Sequence, residues 1–123
     1  MTESLAPVIL GAVAVAFALM GIGALVRPTV VTRQFGIPAL TVEGRSEVRA
    51  VYGGFGLAVA AMLVVAITTP DLRAGIAITV AVALFGMAVG RVVSAVIDRS
   101  LSKVVVLYLV IEIVAGVLLV LAR

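Results

Sequence analysis

Glu112 stands in LYLVIEIVAG, an apolar run that offers a carboxylate no water. It follows Lys103 by nine residues, about 13 Å along a helix. A charge that deep in hydrocarbon costs roughly 2.5–3.5 kcal/mol on insertion scales, so Glu112 must face a partner inside the protein or carry a proton. Arg91, in AVGRVVSAVID, precedes Arg99 by eight residues, about 12 Å from the same end of the molecule if both runs are helical. The two depths nearly coincide.

Helical spacing gives these two residues company. Arg91, Ser94, Ala95 and Asp98 share a face through intervals of three, four and seven, and so do Tyr108, Glu112, Ala115 and Gly116. Upstream, in EVRAVYGGFG, a third face collects Arg49, Tyr52, Gly53 and Gly56, with Arg45 one turn earlier. Glu47 lies about 200° around from Arg49, which suits it to cap the helix start or to pair with a loop arginine.

These positions predict a cytoplasm-facing polar cavity built from Arg49, Tyr52, Arg91, Ser94, Tyr108 and Glu112, with Glu47 and Asp98 at its rim. The chemistry that suits it is binding of an amphiphilic small molecule, such as a lipid, quinone or terpenoid. Its head would meet the arginines and tyrosines, and Gly53, with Gly54 and Gly56, would admit its tail close to the backbone. A second reading is an acid/base enzyme, an isomerase, cyclase or hydrolase acting on a lipophilic substrate. Glu112 would then be general acid or base, and Tyr52 or Tyr108 the proton donor. The plainest alternative is an ion pair of Arg91 and Glu112 that only fixes helix register.

Several chemistries are excluded at once. The chain has no cysteine and no histidine, which removes disulfides, thiol nucleophiles, imidazole catalysis and Cys/His metal sites. The six acidic residues never gather three ligands, and YGGFG lies within an apolar run rather than in a phosphate loop. No cofactor or metal is expected. The pI is about 10.2, but the net charge is only +3 and the basic residues flank apolar segments, so nucleic acid is not an expected partner.

The elements that must position these residues are membrane helices. Of the 123 residues 64% are apolar and 12% charged, where a soluble domain is nearer half and a quarter. Four apolar stretches predict helices over about 5–26, 46–69, 74–97 and 104–122, each long enough to cross about 30 Å of hydrocarbon. The expected architecture is all-α, a single membrane domain over 1–123 forming an antiparallel four-helix bundle. Pro28 should stop the first helix, Gly36-Ile37-Pro38 should bend the connection 27–45, and Ser100 or Ser102 should cap the last helix. The first helix reads as a retained crossing rather than a signal peptide, because no Lys or Arg precedes it.

Seven of the nine basic residues, Arg27, Arg33, Arg45, Arg49, Arg91, Arg99 and Lys103, lie at one end, and only Arg73 and Arg123 at the other. The positive-inside rule then puts the first and third connections in the cytoplasm and both termini outside. The first connection, RPTVVTRQFGIPALTVEGR, mixes apolar and polar residues and suits the headgroup region, where it either covers a site or merely lies on the surface. Gly86 and Gly90 form a GxxxG pair that fits intrachain packing or self-association. A homo-oligomer, a place as accessory subunit in a larger membrane complex, and a small proton-coupled transporter are further readings.

The EVRAVYGG element, the Gly90-Arg91 pair and the isolated Glu112 together resemble a family of small bacterial four-helix membrane proteins of unknown function, within the broader DoxX-like group. The resemblance covers nearly the whole chain and rests chiefly on the ExRxxYGG signature. It implies a four-helix bundle in the bacterial inner membrane and marks Glu47, Arg49, Tyr52, Gly53, Gly54, Arg91 and Glu112 as matching positions. The wider group is associated with quinone-linked or redox roles, while this chain lacks cysteine.

Overall fold

A computed structural model describes residues 4–123. Its first helix, α1 (Leu5–Val26), ends at Arg27 because Pro28 has no N–H to continue it; Pro28 instead opens a short helix, α2 (Pro28–Arg33). Gly36 turns the chain at φ +82°, in the left-handed region glycine enters without a Cβ clash. The chain then enters α3 (Val42–Thr68), which is continuous and contains a π-helical segment over Arg49–Gly54. Helices α4 (Pro70–Asp98) and α5 (Lys103–Ala122) complete an all-α membrane bundle.

Helices α3 and α4 begin at Val42 and Pro70, earlier than the expected 46 and 74. The reason is capping. The Thr41 hydroxyl accepts the Gly44 N–H at 3.0 Å and starts α3 ahead of its apolar stretch, and Pro70 occupies the first turn of α4. Hydropathy locates the part of a helix that lies in lipid, whereas caps locate the helix. Glu47 is therefore not a start cap: it lies within α3, exposed. Of the two candidate serines, Ser102 caps α5, its Oγ accepting the Val105 N–H at 3.4 Å.

The principal contacts run α1 to α3, α3 to α4, α4 to α5 and α5 to α1, so the four long helices close a ring in chain order. Leu10, Leu63 and Leu119 are fully sealed at its centre among alanines such as Ala14, Ala66, Ala77 and Ala81. No more than 28% of any crossing is buried inside the molecule. Many large apolar side chains, among them Val8, Leu19, Val64, Val82, Val89 and Leu121, are exposed on the outside, as lipid requires. Four helices long and apolar enough to cross a membrane make this a multi-pass membrane protein.

Small residues set how closely the helices approach, since lipid gives apolar surfaces no reason to associate. A Cβ on Gly21 of α1 would lie 2.8 Å from the Gly53 carbonyl oxygen, and one on Gly56 would lie 3.1 Å from that of Phe17. On α5, Gly116 makes room for the Phe85 ring of α4. Gly86 and Gly90 do none of this: a Cβ on either would meet nothing within 4 Å. The GxxxG pair therefore serves no packing inside the chain. Gly21→Leu and Gly56→Leu are expected to lower unfolding stability in micelles by about 1–3 kcal/mol through overpacking, and Gly86→Leu to leave it within about 0.5 kcal/mol.

Candidate functional site

Arg91 and Glu112 meet. The Arg91 Nε donates to Glu112 Oε1 at 2.8 Å and to Oε2 at 3.0 Å, the only salt bridge among the described residues. Local packing makes the contact possible: Gly116, one turn beyond Glu112, accepts Phe85, and Ala88 is buried on α4, so the two helices run close at this level. Glu112 is 3% exposed. The Arg91 side chain retains 22% of its surface.

Two aromatic rings flank the guanidinium. Its carbon lies 5.4 Å from the centroid of Tyr108 and 5.7 Å from that of Phe35, and the two rings are themselves 5.3 Å apart at 42°. Cation, phenyl and phenol thus touch pairwise, an arrangement in which each ring's negative face attracts the charge. The Tyr108 hydroxyl donates to Gln34 Oε1 at 2.8 Å, and Gln34 Nε2 donates to the Val31 carbonyl at 3.1 Å. The turn after α2 is thereby fastened to α5.

Gln34 and Phe35 were not among the residues that helical spacing singles out. They lie in the amphiphilic connection, where periodicity carries no information, and the only available signal was the aromatic and amide pair in RQFGIP. The connection does reach the cluster: Gln34 bonds Tyr108, and Phe35 lies against Arg91 and Tyr108.

The second crossing, by contrast, does not join the cluster. Arg49 Nε donates to the Leu25 carbonyl at 3.0 Å, satisfying an end group of α1. Tyr52, half-buried in the π-helical segment, makes no hydrogen bond among the described residues. Gly53 does not face a ligand: a Cβ there would lie 2.8 Å from the side chain of Leu25, so α1 already fills the space. Gly56 likewise packs on α1, against Phe17 and Gly21, and of the three glycines Gly54 is the exposed one. The expected convergence of three crossings fails because α3 turns this face to α1. Ser94 and Asp98 are exposed on α4, without hydrogen bonds among the described residues, and Glu47 pairs with no arginine there. Of the expected set, Arg91, Tyr108 and Glu112 come together.

Chemically, both carboxylate oxygens of Glu112 already accept from Arg91, and the Tyr108 proton is given to Gln34. The four terminal N–H donors of Arg91 have no hydrogen-bond partner among the described residues. No sealed side-chain nitrogen or oxygen there lacks a partner, so these donors reach open space. The site is therefore a clamped cation with a free hydrogen-bonding edge. Removing one partner of a buried pair strands the other, so Glu112→Leu alone is expected to destabilise the protein by about 3–5 kcal/mol. Arg91→Met combined with Glu112→Met should recover most of that loss in the same chemical-unfolding measurement.

Comparison with the curated proteins and with the solved structures finds no match. A family model does match, over residues 5–123. The match takes in α1 through α5 and every residue of the Arg91 cluster: the chain belongs to the family described as a domain of unknown function, DUF4345.

Proposed function

We propose that this protein binds an amphiphilic small molecule, a lipid, quinone or terpenoid, whose polar head accepts hydrogen bonds from Arg91. The observation that carries the reading is the free edge of that guanidinium. A pair serving helix register alone gains most from two parallel N–H···O bonds, the fork geometry arginine and carboxylate favour. Here Nε alone holds both oxygens, and the Nη groups are left for something else. A head with a carbonyl, carboxylate or phosphate oxygen fits that edge, with the faces of Phe35 and Tyr108 beside it. Apolar side chains along the crossings supply contacts for a tail.

The DoxX-like placement rests on the ExRxxYGG element. Its arginine and first glycine join α3 to α1, so their part in binding is to hold the bundle in which Arg91 sits.

The double replacement Arg91→Met with Glu112→Met keeps a matched apolar pair and removes the donors, which separates binding from folding. Mass spectrometry of lipids released from protein purified in mild detergent is expected to show one amphiphile enriched in the wild type and reduced at least about tenfold in the double variant, the factor for roughly 1.4 kcal/mol of lost hydrogen bonding. An identical profile in both would refute the reading.

We also place the connections 27–41 and 99–102 in the cytoplasm of a bacterium and both termini outside the inner membrane, on the excess of basic residues at that end. Because the chain has no cysteine, Ser100→Cys provides a unique label. A membrane-impermeant maleimide should modify it in opened cells and not in intact ones; labelling of intact cells would reverse the orientation.

A further inference from the structure

A groove of about 360 Å³ runs between the connected ends of α4 and α5, lined by Val92, Ala95, Val96, Leu101 and Leu109, with Arg99 and Ser100 at its mouth. None of the Arg91, Glu112, Tyr108, Phe35 or Gln34 cluster lines it. We propose that it holds one acyl chain of an anionic phospholipid, with the phosphate at Arg99.

Position and charge together select that occupant. Val92 precedes Arg99 by seven residues and Leu109 follows Lys103 by six, so the groove descends about 9–10 Å from the charged end of the bundle. It is an apolar channel on the lipid-facing surface with a cation at its interfacial mouth, the order of parts in a phospholipid. Val92, Val96 and Leu101 are exposed apolar residues that only lipid would cover in a lone bundle.

Arg99 is an unusual residue for its place. It ends α4 in the left-handed conformation at φ 50°, where glycine is the common occupant. Its guanidinium makes no hydrogen bond or ion pair among the described residues, even though Asp98 precedes it. Lys103 is exposed at the start of α5 and adds a second positive charge at the same turn. A phosphate diester supplies the missing acceptor.

The experiment is native mass spectrometry of the full chain, reconstituted in equimolar phosphatidylglycerol and phosphatidylcholine and released into detergent. The wild type is expected to retain phosphatidylglycerol over phosphatidylcholine by about fivefold, the factor one interfacial basic residue supplies. Arg99→Gln should bring that ratio to near one, whereas Arg123→Gln, which removes the same charge at the other end, should not. Ala95→Phe fills the groove and should release both lipids. If that variant fails to fold, Arg99→Gln still decides, because its side chain is exposed and unpartnered. Equal retention of the two lipids by the wild type, or equal loss of preference in Arg99→Gln and Arg123→Gln, would overturn the assignment. So would a preference that survives in Arg99→Gln and is lost only on combining Arg91→Met with Glu112→Met, which would place the lipid at the other site.

Discussion

A carboxylate ion in hydrocarbon costs roughly 2.5–3.5 kcal/mol unless a cation or a proton answers it, and in this fold Arg91 answers Glu112. That contact is made one turn from Gly116, where the Phe85 ring of α4 packs on α5. It works only in one rotational setting, because turning either helix by a single residue, about 100°, would move the charge out to lipid. Gly116 and Ala88 admit the approach, and Phe85 fills the space beside it. Once Arg91 is held by Glu112, its cationic face is fixed for Tyr108 on the next turn of α5, and Phe35 closes over both. Thus the pair sets the register of two helices and also the resting place of a loop.

The same demand, that polar groups in lipid find partners within the protein, accounts for Arg45, Arg49 and Arg73. Helix C-termini leave carbonyls unsatisfied, and arginines from neighbouring segments reach them. Arg49 bonds the Leu25 carbonyl at the end of α1, and Arg73 bonds those of Ala66 and Ile67 at the end of α3, both at 2.9 Å. Arg45 holds the Leu40 carbonyl and so steadies the entry to α3. The contacts of Arg49 and Arg73 also complement the negative ends of the α1 and α3 dipoles. The π-helical segment belongs to this economy of backbone groups. Its wider turn sits where Gly53 and Leu25 interlock, and it carries Arg49 at its first position.

Much of this was legible in the residues. The number and place of the crossings follow from apolar length. Arg91 and Glu112 follow from depth, because two ionised groups in the same layer of a low-dielectric medium have a strong reason to meet. Tyr108 follows from its place one turn before Glu112. What periodicity could not settle was which neighbour each face meets. Arg49 and Gly53 both meet Leu25 of α1, but this arginine is answered by a backbone carbonyl, and free carbonyls leave no trace in side-chain patterns. The small residues had the same ambiguity: Gly53 and Gly86 look alike in a sequence, yet one abuts α1 and the other opens outward. Gln34 and Phe35 were hidden for a different reason, since they sit at a turn whose direction depends on Gly36 and on the docking it achieves.

How Arg91 is held bears on whether the cluster is only a fastening. Lysine could balance Glu112 with a point charge, and a forked arginine could do so while using two nitrogens. The observed contact uses the one nitrogen inside the arginine stem and leaves the other two without a hydrogen bond to the carboxylate. Those nitrogens cannot be sealed, because four unanswered N–H donors in a dry interior would cost more than the ion pair returns. The partial exposure of Arg91 is therefore a requirement of this geometry, and in the middle depth of a membrane the space beside it must be filled by water or by a molecule with acceptor oxygens. The rings of Phe35 and Tyr108 stand beside the same guanidinium, so its open edge is bordered by two aromatic side chains. The fastening and the opening are consequences of the same contact.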